Sequence, residues 1–202
     1  MEGDQPLSEG MTSFRPAPGF AIWFTGLPAA GKTTLAQTVQ RQLAACGLST
    51  ILLDSDELRA ILTPEPTYSD GERDWFYSAL AGLAALLTRN GVNVLIAATA
   101  HRRAYRDAAR AQIERFAEVY VACPAEVCQQ RDPKGIYARA EKGQAARVPG
   151  LGRTFEPPLR AELTIDTAQR KPAEAAALVI GQIGQLFPTS IAPGNTGALT
   201  PD

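Results

Sequence analysis

The chain has 202 residues, of which 45 % are hydrophobic and 20 % are charged, and its formal net charge at pH 7 is −1. This length suits one domain with a hydrophobic core, and the balanced charge gives no electrostatic basis for binding nucleic acid or an anionic membrane. No apolar run has the length of a membrane span, and three scattered cysteines without a signal-peptide pattern predict a cytoplasmic protein with reduced thiols.

The two ends of the chain are expected to lie outside the folded domain. Residues 1–18 are polar and interrupted by Pro and Gly, which predicts a flexible leader. Residues 188–202 are rich in Pro, Gly and Thr, which predicts a disordered tail. Residues 19–187 are predicted to form one domain.

Within that domain, strand patterns alternate with helical patterns. We predict strands over 20–25, 49–53, 92–98, 117–122 and 162–166. We predict helices over 32–46, 55–62, 70–89, about 102–115, 124–131 and 172–186. The alternation favours an α/β fold, a three-layer sandwich with a central, mostly parallel sheet covered on both faces.

A complete phosphate-loop motif lies between the first strand and the first helix. It reads Gly26-Leu27-Pro28-Ala29-Ala30-Gly31-Lys32-Thr33-Thr34. In such a motif, backbone amides and the helix N-terminus hold phosphate oxygens. The lysine reaches the β- and γ-phosphates, and the hydroxyl of the next residue ligates Mg²⁺. We therefore predict that these nine residues bind a nucleoside triphosphate such as ATP, that Lys32 is catalytic and that Thr33 is a metal ligand.

Two carboxylates follow the second predicted strand. Ligands of an open α/β sheet bind outside the carboxyl ends of its strands, so Asp54 and Asp56 are predicted to face the phosphate loop. Phosphoryl transfer needs a metal and a group that orients or deprotonates the acceptor. Asp54 could hold Mg²⁺ through water and Asp56 could accept the acceptor's proton. A helix N-cap at Asp54 or Ser55 is compatible with these roles.

Candidates for binding the phosphoryl acceptor come next along the chain. Arg59 and Arg73 could hold an anionic group, because a guanidinium forks onto phosphate or sulfate. The alternative is that both are exposed helix arginines. Tyr68 could stack on a base, whereas Trp75 and Phe76 are expected in the core.

Further candidate site residues lie at the end of the third predicted strand. Thr99 could lie near the acceptor, and the arginines from Arg102 to Arg110 could contact it or form a solvated helix face. His101 is expected to be an ordinary polar residue.

Residues 132–160 are rich in Lys, Arg, Gly and Pro, and are expected to bury little. That composition predicts a mobile lid, with a plain surface loop as the alternative, and Lys134 in it could neutralise charge on the transferred phosphoryl group.

From about Phe20 to Thr167, these motifs together resemble the adenylylsulfate kinase (APS kinase) family. Its members transfer the γ-phosphate of ATP to the 3′-hydroxyl of adenosine 5′-phosphosulfate (APS). The resemblance includes the phosphate loop and, in order, Glu118-Val119-Tyr120-Val121, Cys123, Cys128, Arg131-Asp132, Lys134-Gly135, Tyr137, Phe155-Glu156, Pro158, Glu162-Leu163 and Ile165-Asp166-Thr167.

The resemblance implies a P-loop kinase domain over 19–187, with its lid at about 132–160. It implies ATP and Mg²⁺ as co-substrate and cofactor, APS as substrate, and a homodimer, which the family often forms. Asp54 and Asp56 match the acids of the family's Asp-Gly-Asp element, and Lys134 matches the lid lysine. Arg131 and Thr167 match positions at the ATP adenine; Arg59, Tyr68 and Arg73 match positions at the substrate.

Three positions depart from the family pattern, all on the acceptor side. Phe76 stands where the family has a substrate-contacting asparagine, and Val148 stands where the lid supplies a stacking phenylalanine. Thr99 begins an altered Ser-Pro-aromatic-Arg element. These departures keep open a kinase of the same fold with a different small hydroxyl acceptor, and a non-catalytic nucleotide-binding regulator is a third hypothesis.

Overall fold

The computed structural model describes residues 16–142 and 148–188. The predictions for the leader and the tail therefore fall, apart from residues 16–18 and 188, outside the described residues. No helix in the described part of the chain is long and apolar enough to cross a membrane.

The described residues form alternating strands and helices, close to the predicted bounds. The strands are β1 (Ala21–Thr25), β2 (Ile51–Asp54), β3 (Val94–Ala97), β4 (Phe116–Ala122), β5 (Val148–Pro149), β6 (Gly152–Arg153) and β7 (Leu163–Asp166). The helices are α1 (Lys32–Ala45), α2 (Ser55–Leu62), α3 (Asp70–Arg89), α4 (Arg103–Gln112), α5 (Ala125–Arg131), α6 (Ile136–Glu141) and α7 (Pro172–Leu186).

Five strands form one parallel sheet in the order β2-β3-β1-β4-β7, so the predicted fold class is confirmed. Side chains of β1 alternate between its two faces. Ile22 and Phe24 pack in a core with α1 and α7, and Ala21 and Trp23 pack in a second core with α3 and α4. A central strand covered on both faces must be apolar throughout, which is why β1 has no polar face.

Parallel pairing brings the polar ends of the strands to one edge. Asp54, the last residue of β2, pairs with Ala97 of β3, and Ala97 pairs with Phe24 of β1. The phosphate loop follows β1 directly, so the loop and the acids after β2 lie at the same edge of the sheet. The order of the strands thus creates the site.

For Arg106 the structure excludes one of the two open alternatives, and for Trp75 it contradicts the expectation of a core position. Arg106 is not on a solvated face: it is 1 % exposed, and its Nε donates to Oε1 of Glu118 at 2.5 Å. Trp75 was expected in the core but is 50 % exposed, whereas Phe76 beside it is fully buried. The reason is that α3 presents one face to the sheet and turns Trp75 away from it.

The segment 132–160 buries more than its composition suggests. It contains α6, β5 and β6, and Tyr137 and Val148 belong to the core on the α1 and α7 face. Oδ1 of Asp132 accepts from the amide of Ile136, the first residue of α6, at 2.7 Å. Its few apolar side chains are spaced among charges, so average composition concealed them. Its mobility stays a prediction.

Candidate active site

The backbone of the phosphate loop depends on two glycines. Gly26 has φ of 154°, and a Cβ there would lie 2.4 Å from the carbonyl oxygen of Val121 in β4. Gly31 has φ of 93° and is the N-cap of α1. Any other residue would clash at the first position and be strained at the second. The loop therefore leads directly into the N-terminus of α1, where anions are favoured.

Lys32 lies folded against its own loop. Its Nζ donates to the carbonyl oxygens of Gly26 at 3.2 Å and Leu27 at 2.7 Å. Burial lowers the pKa of Lys32 to about 8, although the charges of Asp56 and Asp54 oppose the change. The ammonium group is thus poorly solvated and available to phosphate oxygens.

Thr33 and Asp54, predicted as metal ligands, are in direct contact. Oγ1 of Thr33 donates to Oδ2 of Asp54 at 2.6 Å, and Oδ1 of Asp54 caps α2 by accepting from the amide of Asp56 at 2.8 Å. Among the described residues, no group of three or more His, Cys, Asp or Glu side chains could hold a metal. Mg²⁺ usually takes one or two carboxylates together with phosphate oxygens and water, so this pair fits that ion.

Asp56 and Lys134, both predicted to be catalytic, are joined across the cleft. Nζ of Lys134 donates to Oδ2 of Asp56 and closes a bridge from the lid segment to the end of β2. This hydrogen bond raises the pKa of Lys134, so its ammonium stays charged. Both side chains are more than half exposed, which leaves them free to exchange this pairing for bound substrates.

The two predicted adenine residues also meet beside the loop. Nη2 of Arg131 donates to the carbonyl oxygen of Thr167 at 2.7 Å. Oγ1 of Thr167 donates to the carbonyl oxygen of Ala30 in the phosphate loop at 2.7 Å. On the other side of the loop, the hydroxyl of Tyr137 donates to the carbonyl oxygen of Pro28 at 3.1 Å. The lid and the turn after β7 thus both hold the loop.

A cavity of about 220 Å³ opens beside Asp56, with Arg59 and Tyr68 in its lining. Arg59 is 7 % exposed. Its Nη1 donates to Oε1 of Glu72 at 3.0 Å, and its guanidinium lies 3.8 Å from the centre of the Phe76 ring. Its Nη2 is buried with no hydrogen-bond partner among the described residues. A buried donor without a partner favours an anionic ligand.

Tyr68 is held at the rim of that cavity in a strained conformation. Its φ is 53°, uncommon for an aromatic residue, and 45 % of it is exposed. Its ring centre lies 5.2 Å from the guanidinium carbon of Arg59 and 5.4 Å from that of Arg73. Its carbonyl oxygen accepts from Nε of Arg73 at 3.0 Å. The ring is placed to stack on a planar ligand beside two cations.

The three residues that depart from the family pattern are less exposed to solvent than residues that contact a substrate are expected to be. Phe76 is fully buried, and its ring supports Arg59. Val148 is 6 % exposed and packs in the core. Thr99 is partly buried, and its carbonyl oxygen accepts from Oγ1 of Thr25 at 2.7 Å. All three residues stay predicted contacts, and Phe76 acts on the site through its contact with Arg59.

Sequence reasoning missed Glu72, which organises the acceptor side. Its Oε2 accepts from the amides of Thr67 at 2.5 Å and Tyr68 at 3.1 Å, while Oε1 pairs with Arg59. Burial would raise its pKa, but the hydrogen bonds from Thr67 and Tyr68 and the charge of Arg59 lower it. The Ser-x-x-Glu spacing from Ser69, a helix-start pattern, could have drawn attention to it.

Comparison with known proteins agrees with this geometry. The family model described as adenylylsulphate kinase matches residues 18–166. The adenylyl-sulfate kinase of Synechococcus sp. (strain JA-3-3Ab) is 42 % identical over 162 residues, which are 80 % of this chain and 92 % of that protein. The probable adenylyl-sulfate kinase of Archaeoglobus fulgidus is 40 % identical over 148 residues, 73 % of this chain and 96 % of that protein.

A solved structure matches as well. The Mycobacterium tuberculosis APS kinase CysC in complex with AMPPNP and APS has a TM-score of 0.78 and 33 % sequence identity. The match covers 83 % of this chain and 99 % of that one.

Proteins that contain a phosphate loop differ in the residues that lie opposite it. Here a carboxylate and a cavity lined by the buried Arg59 lie opposite it, and the chain is a P-loop kinase. It belongs to the adenylylsulphate kinase family.

Proposed function

We propose that this protein transfers the γ-phosphate of ATP to the 3′-hydroxyl of APS, with Mg²⁺ as cofactor. The observation that carries the proposal is the position of Asp56. It lies in the lining of the acceptor cavity and is paired with Lys134, within the electrostatic reach of Lys32. Phosphorylation of a hydroxyl group requires a residue that takes up its proton, and a carboxylate between the phosphate-binding lysine and the acceptor cavity is placed to do so.

In this mechanism, the amides of the phosphate loop and Lys32 hold the β- and γ-phosphates. Lys134 leaves Asp56 when substrates bind and neutralises charge on the transferred group. Asp56 then receives the proton of the acceptor hydroxyl. Thr33 and Asp54 would hold Mg²⁺, which supplies charge neutralisation between the phosphates.

Arg59, Arg73 and Tyr68 would hold the acceptor. The free Nη2 of Arg59 suits the anionic phosphosulfate, and the exposed ring of Tyr68 suits the adenine. Arg131 and Thr167 would bind the adenine of ATP. A cytoplasmic location is part of the proposal, and three free cysteines support it. The homodimer stays a prediction.

A second candidate is a kinase for another small hydroxyl compound. The presence of Phe76 and Val148 at positions implied to contact substrate favours it, since a different residue at such a position changes which acceptor fits.

One acceptor screen separates the candidates. Purified protein, ATP and Mg²⁺ are incubated with APS or with other nucleoside and sugar alcohols, and ADP and the phosphorylated product are measured. Turnover with APS supports the proposal, and turnover only with another alcohol supports the second candidate. ATP binding without turnover of any acceptor would favour a regulator. The Lys32→Ala variant shows whether the turnover belongs to this protein.

A further inference from the structure

Arg153 lies on the acceptor side, although no motif considered above contains it. It ends the short strand β6 in the segment predicted as a lid, and its side chain is 11 % exposed. A guanidinium is always charged and only donates hydrogen bonds. Its burial therefore requires partners that accept.

Two side chains from different elements hold it. Nη1 of Arg153 lies 2.9 Å from Nε2 of His101, which must be the accepting, unprotonated nitrogen because arginine cannot accept. Burial and neighbouring arginines lower the pKa of His101 to about 4, in agreement with a neutral ring. Nη2 of Arg153 lies 2.5 Å from Oδ1 of Asp70 in the first turn of α3. The end of β6 is thus tied to both sides of the acceptor region.

The surroundings of Arg153 hold more positive than negative charge. Burial lowers the pKa of Arg73, and the charges of Arg153 and Arg59 lower it further, so these guanidinium groups are close enough to repel one another. Glu72 pairs with Arg59 and Asp70 pairs with Arg153. Among the described residues, Arg73 forms no ion pair. A cluster of buried arginines with an excess of positive charge is suited to binding an anion.

The carboxylate of Asp70 can be displaced from Arg153 by another anion. Its Oδ1 is buried, but the side chain as a whole is 48 % exposed, and Oδ1 also lies 3.7 Å from Nη2 of Arg102. It could therefore turn toward Arg102 and water without losing all of its positive partners. Arg153, by contrast, is buried and held by His101, so it would stay in place.

We infer that Arg153 is a third acceptor-binding arginine, beside Arg59 and Arg73, and that Asp70 occupies its guanidinium until the anionic group of the acceptor replaces the carboxylate. This inference rests on the proposed function and names a specificity residue for it. Both partners of the ion pair then affect acceptor binding, but in opposite directions.

The test is the Michaelis constant for APS in two variants of the same ion pair. Arg153→Gln removes the binding charge and is expected to raise the KM for APS by about tenfold or more. Asp70→Asn removes the competing carboxylate at constant size and is expected to lower that KM roughly two- to fivefold. Arg153→Lys keeps a charge without the fork and should fall between Arg153→Gln and the unaltered protein. The KM for ATP should stay unchanged in all three.

Arg103→Gln is the matched control. It removes a nearby arginine whose ion pair with Glu156 is more than one-third exposed, and the KM for APS should stay within about twofold. If the Arg153–Asp70 pair served only the fold, both of its variants would raise the KM for APS or neither would, and either result overturns the inference. Should Arg153→Gln fail to fold, an unchanged or raised KM in Asp70→Asn would overturn it alone. Absence of APS turnover by the unaltered protein would overturn the proposed function itself, and the inference with it.

Discussion

At the scale of single residues, Asp56 and Lys134 are the pair on which the proposed chemistry depends. Both are exposed and lie opposite each other across the cleft, and their hydrogen bond joins the lid segment to the sheet edge. Such a contact adds little to stability, since exposed ion pairs contribute at most about 1 kcal/mol. We expect its value to be positional, because it holds the proposed base and the proposed phosphoryl-binding cation close to each other.

The first prediction concerns Asp56→Asn, which keeps size but removes the proton acceptor. We expect turnover to fall on the order of 10² or more, with the affinity for ATP retained. The measurement is kcat from ADP release, with ATP binding followed by calorimetry. Glu57→Gln, a change on the same first turn of α2, serves as the control. Normal turnover in the Asp56→Asn protein would remove Asp56 from the mechanism.

Lys32 gives a second residue-scale prediction, because burial lowers its pKa to about 8. The charged form binds phosphate, so kcat/KM for ATP should decline as the pH rises through that value and approach a roughly tenfold loss per pH unit beyond it. Initial rates at subsaturating ATP between pH 7 and pH 10 measure the profile. Lys32→Arg stays charged and should lack the decline, whatever its absolute rate. A flat profile in the unaltered protein would contradict the assignment.

At the scale of elements, α4 is tied to the sheet by charge as well as by apolar packing. Arg106 is fully buried, pairs with Glu118 in β4 and donates to the carbonyl oxygen of Glu156 at 2.6 Å. Burial raises the pKa of Glu118 even though Arg106 opposes the change. One buried arginine thus connects α4, the sheet and the chain that returns from the lid.

Because of this connection, Arg106→Ala should be strongly destabilising. It leaves the carboxylate of Glu118 buried without its main partner, and the expected loss is about 3–5 kcal/mol of the free energy of unfolding. Urea denaturation measures it. Arg103→Ala on the same helix breaks a partly exposed pair and should cost no more than about 1 kcal/mol. Equal losses in the two variants would show that the buried pair has no special role.

At the scale of the whole molecule, stability should depend on pH through His101, the one histidine of the sequence. Its pKa is lowered from 6.5 to about 4 in the fold, chiefly by burial and then by the charges of Arg73 and Arg153. Between these pH values the unfolded chain binds a proton that the folded protein does not. The contribution of a neutral His101 is complete above pH 6.5 and is lost as the pH falls toward 4.

We therefore expect acid destabilisation over that range to be smaller in His101→Asn, by on the order of 2–3 kcal/mol at its lower end. Unfolding by urea at a series of pH values compares the two proteins. Proton NMR of the single imidazole gives an independent check, because no other histidine signal overlaps it. An imidazole that titrates near 6.5 in the folded protein would contradict the burial argument.

The main strands, the phosphate loop and the paired acids could be predicted from the amino-acid sequence, because each depends on local chemistry. An apolar run predicts β1, glycines at fixed spacing predict the loop, and acids directly after β2 fall at the sheet edge. The arrangement of the acceptor side, by contrast, follows from contacts between distant segments. Glu72, His101 and Arg153 come from separate segments, and their contacts with Tyr68, Arg59 and Asp70 depend on packing between α3, the turn after β3 and β6. Burial of single side chains could not be predicted either, since no local pattern distinguishes the buried Arg106 from the partly exposed Arg103 one helical turn before it.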